Sequence, residues 1–326
     1  MKYKVGVVGA GRIAAGFDSL GDELVLTHAH AVKREPRLEL VGFWDINNQA
    51  SLDAAAKWGG QSYSSLETLL QSSDMIVVAV PDDVHEKYLR ILVECSPRLV
   101  ICEKPLTQDM ESARSVVQLF SERNIPLLVN FQRRFDPTVI ELKRRLYNNE
   151  LGRIIGGTVW YSKGIKHNGS HAVDLLRFLF GEPVQLHTYY HTIDFTEDDP
   201  TVSGRIDFNL FSINLIAADE RLYSIFEIDL VFERARYRFT HSGLDVEIQE
   251  PQKDPVFEGY TELAVVQACM TGLSFSLKSL MNASADYLDG GTLPTNTAED
   301  ALKTQEICNK LVELEREPKS KKSCLL

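Results

Sequence analysis

Short apolar runs alternate with amphipathic stretches over the first 130 residues. Residues 3–8 read as a buried strand, and residues 11–17 open a helix after the turn Gly9-Ala10-Gly11. The stretch LGDELVLTHAH follows, with Gly21, Asp22 and Glu23 as loop, and a helix runs to about Arg34. LELVGFWD, 38–45, is a second strand, and NNQASLDAAAKWG is a helix closed by Gly59 and Gly60. MIVVAVP, 75–81, is continuously apolar and β-branched, as suits a strand of a parallel sheet covered on both faces. DVHEKYLRILVEC (helix), RLVICEKP (strand), ESARSVVQLFSERN (helix) and PLLVNF (strand) complete the alternation. It predicts a doubly wound parallel sheet, with ligands outside the carboxyl ends of its strands. Gly9, Asp45, Pro81, Glu103-Lys104 and Asn130 fall at those ends.

The pattern changes after the helix DPTVIELKRRLYN. IIGGTVWYS, VQLHTYYH, SGRIDFNLFSINLIAADE, RLYSIFEIDLVFE, ARYRFTHSG and LDVEIQE read as strands in series. HAVDLLRFLFG and ELAVVQACMTGLSFSLKSLMN read as helices. This predicts an α+β domain on a large, mainly antiparallel open sheet. The expected division is a dinucleotide-binding domain at 1–130, a substrate and oligomerisation domain at 131–295, a helix at 296–317 packing back on the first domain, and a disordered tail at 318–326. Thr297 is the expected N-cap of that helix, with Asp300 three residues on.

Composition narrows the classes. A net charge of −11 over 326 residues gives no basic footprint for nucleic acid. No apolar run reaches the ~18 residues of a membrane span. The opening MKYKVGVVGAG is too short a run for a signal peptide, and Arg12 breaks it. Five scattered cysteines without a C-x-x-C pair indicate neither zinc nor disulfides, which fits a reducing, cytoplasmic setting. Cys324 is third from the end and does not match a prenylation box.

The candidate chemistry sits on a few motifs. Gly9 permits a tight turn, Gly11 close approach of a pyrophosphate, and Ala14 helix–strand packing. Asp45 can bind both ribose hydroxyls and repel a 2′-phosphate; it can equally cap the next helix. No arginine follows in DINNQ, which favours NAD over NADP. Lys104 of CEKP can hold a substrate oxygen and move its proton, and the proline after it is a candidate cis residue. His171 and Asp174 stand three apart at the start of a helix and share a face. His167, His171 and Asp174 match metal-ligand spacing only loosely, because 167–169 reads as loop; no metal is expected.

Taken in order, Gly9-x-Gly11-x-x-Ala14, Asp45, VPDDVH, CEKPL, NFQRRFDP and GSHAVDLLRFLFG resemble the Gfo/Idh/MocA oxidoreductases, named for glucose-fructose oxidoreductase and inositol dehydrogenase. The resemblance implies a Rossmann domain followed by an open antiparallel sheet that often makes the oligomer interface, here a homodimer or homotetramer. It implies a cofactor site at Gly9, Gly11, Arg12, Ile13 and Asp45, continued by Pro81, His85, Glu103 and Lys104. It implies proton handling by Lys104 and His171, with His167 beside them, substrate contacts from Arg133, Arg134 and Asn168, and an Asp174 that orients His171 or binds a neighbouring substrate hydroxyl. Arg133 and Arg134 can equally serve as ion pairs. Many members carry an aspartate four residues before the histidine; here that position is His167. The expected activity is NAD-dependent hydride transfer to or from a ring carbon of a sugar, inositol or nucleotide-sugar. A non-catalytic dinucleotide sensor and a biliverdin-reductase-like enzyme are the alternatives.

Overall fold

The structure, a computed structural model, describes residues 2–316; the tail expected at 318–326, with Cys324, lies outside them. The chain divides into two compact units. One holds the chain up to Glu141 together with Gly272–Lys303; the other holds Leu142–Thr271 and the chain from Thr304 on.

The first unit contains β1 (Tyr3–Val8), α1 (His28–Arg34), β2 (Leu38–Trp44), α2 (Asn48–Trp58), β3 (Gln61–Ser62) and α3 (Leu66–Gln71). It continues through β4 (Met75–Val78), α4 (His85–Cys95), β5 (Leu99–Cys102), α5 (Met110–Glu122) and β6 (Leu127–Val129). All strand pairs are parallel, in the order β3-β2-β1-β4-β5-β6. The order reverses between β1 and β4, where open sheets of this kind bind ligands. Alternate residues feed opposite cores. Val5, Val7, Met75 and Val77 pack with α1 and α2, whereas Val8, Ile76 and Val78 pack with α4 and α5.

α6 (Pro137–Tyr147) leads into the second unit, with β7 (Ile154–Tyr161), α7 (Ser170–Phe180) and β8 (Gln185–Thr196). Then come β9 (Asp199–Asp207), β10 (Ser212–Ala217), β11 (Phe226–Phe232), β12 (Arg236–Thr240), β13 (Asp245–Lys253) and β14 (Thr261–Met270). α8 (Ser276–Leu288) and α9 (Ala298–Arg316) close the described chain. The eight strands form one sheet, β14-β13-β12-β11-β7-β10-β9-β8, antiparallel except between β7 and β10.

Three expectations are corrected here. Residues 262–270 are a strand, not the start of a helix; they pair with β13 along the sheet edge and are exposed on both faces, so no core imposes a visible period. The run 203–220 is interrupted at 208–211, where the chain turns between β9 and β10. Residues 272–295 belong to the first unit, because Leu277, Leu280, Met281, Ala285 and Leu288 of α8 cover the same sheet face as α1 and α2. Thr297 does accept from the amide of Asp300 at the start of α9.

Candidate active site

The glycine turn is fixed by the strands beside it. Gly9 has φ +98°, and a Cβ there would lie 2.4 Å from the carbonyl oxygen of Ala79, so only glycine fits. A Cβ on Gly11 would meet no atom within 4 Å, which leaves open ground against the backbone for a dinucleotide phosphate. Asp45 closes β2 and reaches back: Oδ2 accepts from the amide of Ala10 at 2.7 Å and Oδ1 from that of Asn47 at 2.8 Å. The N-cap of α2 is Asn47, not Asp45, so the half-buried carboxylate stays beside the turn. The expected helix at 11–17 is a single π turn, Arg12–Gly16, in which Arg12 is exposed and Ile13 half-buried. Trp58 Nε1 (2.8 Å) and Lys57 Nζ (3.0 Å) both donate to its Ala15 carbonyl.

The chain then makes the excursion that carries Gly21–Glu23. Asp18 closes it: Oδ1 accepts from the Thr27 hydroxyl at 2.6 Å, and Oδ2 from the His30 ring at 2.8 Å. Burial works against that charge, but these bonds and the Leu26 amide hold the Asp18 carboxyl below the usual range. Thr27 caps α1, and His28 is its first residue.

Lys104 and Glu103 leave the carboxyl end of β5, and the Lys104–Pro105 bond is cis, as anticipated. Glu103 Oε1 accepts from His28 Nε2 and from Asn130 Nδ2, each at 2.7 Å. Burial pushes its carboxyl up, yet the His28 bond, the Asn130 bond and the Lys104 charge together hold it below the usual range. His85 is buried, with Nδ1 at 2.7 Å from the Pro105 carbonyl and Nε2 at 3.1 Å from that of Val80. It ties the segment of exposed Pro81 to the EKP turn, and its ring is committed to backbone. The expected arginine pair separates in role. Arg134 is buried in an ion pair with Asp300 and bonds the Thr295 carbonyl, a structural position. Arg133 is only half-buried by surface, and desolvation lowers its guanidinium to about 10 against the pull of Asp136.

In the second unit the expected loop at 167–169 is helical: a π turn, Gly164–Gly169, runs straight into α7. Its amides are held by two carboxylates from the β8–β9 hairpin. Asp199 accepts from the amides of Lys166 (2.7 Å) and His167 (2.8 Å). Asp194 accepts from the Lys163 amide at 2.9 Å and from the Thr201 hydroxyl at 2.6 Å, which itself accepts from the Gly164 amide at 2.6 Å. A Cβ on Gly164 (φ +75°) would lie 2.2 Å from Asp199 Oδ2, so the sequence needs glycine there. The His167 ring packs on Phe195, centroids 4.8 Å apart, and the half-buried His171 sets its ring edge-on to Phe226. The amide nitrogen of Asn168 is committed to the Ser162 carbonyl at 2.9 Å. Asp174, expected to orient His171 or bind a substrate hydroxyl, is buried and accepts from Thr304 of α9, which also receives Arg177. No metal-ligand cluster is found among the described residues.

Residues 3–131 match the oxidoreductase family with an NAD-binding Rossmann fold, Gfo/Idh/MocA. This segment is a Gfo/Idh/MocA Rossmann domain. Glucose-6-phosphate 3-dehydrogenase of Bacillus subtilis is 30% identical over 161 residues, 49% of this chain and 42% of that protein. Inositol 2-dehydrogenase 2 of Saccharopolyspora erythraea is 30% identical over 198 residues, 56% of each. The chain thus spans about half the length of the curated relatives it matches. An oxidoreductase from Agrobacterium radiobacter, solved with NAD+, L-tartaric acid and magnesium, superposes with a TM-score of 0.75 at 15% identity, covering 96% of both chains. That likeness extends the shared fold through both units.

In each unit one group escapes a motif reading. His28 reads as one of two histidines in a loop; its signal is the place directly after a capping threonine. Asp194 and Asp199 fall between the expected strands VQLHTYYH and SGRIDFNLFSINLIAADE, where the pattern predicts no element; their signal is two acids flanking that break. Burial raises the Asp199 carboxyl, with Asp194 adding to it, against the amide bonds of Lys166 and His167. Below the ordinary carboxylate range the group is protonated in both states and adds nothing; as pH rises through its raised folded value, the folded state carries a charge it holds less well than water does. Asp199→Asn turns an amide against one backbone donor and should cost about 1–3 kcal/mol. Urea unfolding should show the gap between wild type and variant narrowing from pH 4 to pH 7, and a widening gap would contradict the burial argument.

Proposed function

We propose that the chain is an NAD-dependent dehydrogenase that moves a hydride between nicotinamide and a ring carbon of a sugar, inositol or nucleotide-sugar. The observation that carries this reading is Lys104 next to Glu103 at the carboxyl end of β5, the Glu103 carboxylate being held by His28 and Asn130 within an NAD-binding Rossmann domain. Bound nicotinamide would supply the hydride acceptor or donor. Lys104 would hold the reacting oxygen and pass its proton, with His171 as the second proton-handling group and His167 beside it. Arg133 remains a candidate substrate contact; Arg134 is held in its ion pair with Asp300, and Asp174 is a candidate to orient His171. The names of the two curated relatives support a polyhydroxylated ring as substrate. A panel of inositols, glucose 6-phosphate and nucleotide-sugars, followed by NADH absorbance, tests the class; no turnover on any would favour a dinucleotide sensor.

Asp45 supports NAD over NADP, because a 2′-phosphate beside it meets a negative charge and forfeits the ribose bonds. Titrating NADH and NADPH by fluorescence should give tighter NADH binding. Equal or tighter NADPH binding would overturn the assignment. Lys104→Met keeps the stem and removes the donor, so turnover should fall ~10²–10⁴-fold while NADH still binds. Near-wild-type turnover would reduce the lysine to a surface charge.

We also infer a homodimer or homotetramer through the second unit's sheet. Its uncovered face mixes Trp160 and Val265 with the ion pairs Asp229–Arg236 and Arg238–Glu247, and β14 leaves an open edge. A monomer by light scattering at micromolar concentration would count against this.

A further inference from the structure

The EKP turn does not stand alone. Glu103 Oε1 takes both of its donors from outside its own segment, His28 from α1 and Asn130 from the end of β6. His28 is fully buried, and its position is set by the chain before it. Asp18 grips Thr27 and His30, Thr27 caps α1, and His28 follows at once. His30 in turn packs against Trp58, whose indole nitrogen holds the π turn at Ala15. The excursion after the glycine turn therefore delivers one imidazole to the carboxylate next to Lys104.

We propose that His28 is a positioning residue for the chemistry of Lys104, clamping the Glu103 carboxylate beside the lysine. The inference rests on the role proposed for Lys104 above. Its physical basis is that a buried carboxylate keeps its charge only when donors replace the water it has lost. The charged or titratable groups acting on Glu103 are His28 and Lys104; the thiol of Cys102 lies behind it, pushed up by burial and by that same carboxylate. Without His28, Asn130 is the one uncharged donor left on Oε1. Glu103 then picks up a proton at higher pH, and Lys104 loses the negative charge of its neighbour.

The test uses the full chain with [13C]glutamate and follows the Glu103 carboxyl by NMR, assigned through Glu103→Gln. His28→Leu removes the donor at similar volume; His28→Gln keeps an amide donor at the reach of Nε2. The Glu103 midpoint should rise by about one pH unit or more in His28→Leu and stay near wild type in His28→Gln. Should His28→Leu not fold, His28→Asn, whose amide is too short to reach, takes its place. On the substrate that the panel identifies, kcat should fall at least about tenfold in the donor-less variant with KM little changed. The loss should vanish in a Glu103→Gln background, because the two residues act as one unit. An unshifted Glu103 midpoint, or additive losses in the cycle, would overturn the proposal and leave His28 as an ordinary core histidine. Lys104→Met separates the two readings. If it keeps turnover, the role of Lys104 fails whatever His28 does; if it loses turnover while His28→Leu behaves as wild type, the His28 inference fails alone.

Discussion

Glu103 is half-buried at the end of a parallel strand, where a carboxylate with little water must find donors or give up its charge. Much of the first unit's local architecture follows from how that demand is met. β5 brings the carboxylate to the carboxyl edge, β6 ends one residue short of Asn130, and α1 begins on His28. Thr27 caps α1 just before His28 and is itself held by Asp18, so the excursion at 18–27 is a structural part of the site. His85 adds a second tie, between the ends of β4 and β5, through the carbonyls of Val80 and Pro105.

The second unit meets a similar demand by the opposite assignment of partners. There the buried carboxylates are the clamps, and backbone amides are what they hold. Asp194 and Asp199 satisfy the first amides of the π turn, which have no carbonyl of their own to bond. That fixes where His167 leaves the backbone and hence where α7 starts. Where the family resemblance implies an aspartate, four residues before His171, this chain has a histidine, and the carboxylates come from the neighbouring hairpin and bind the backbone. The histidine at that position packs its ring on Phe195.

The Rossmann half of the fold was legible because β4, β5, β6 and most of β1 are covered on both faces, so burial writes continuous apolar runs into the chain. Gly9 was legible for the same reason that it is irreplaceable: its conformation and the nearness of Ala79 exclude a side chain. Where burial is absent, the pattern fails. β14 is exposed on both faces, and AVVQACM carries no alternation to separate strand from helix. α8 follows it in sequence but packs in the other unit, a choice made by the empty sheet face beside α1 and α2 rather than by anything local.

The amino-acid sequence by itself determined the parallel sheet, the glycine turn, the aspartate that closes β2 and the lysine at the strand end, because each depends on residue type at a position fixed by local geometry. Tertiary structure decided the partners. His28 meets Glu103 across 75 positions, Asp199 meets His167 across 32, and Arg134 pairs with Asp300. Such pairings are set by which strand ends and loops the fold brings together, and a hydrogen bond between distant residues leaves no period in the chain.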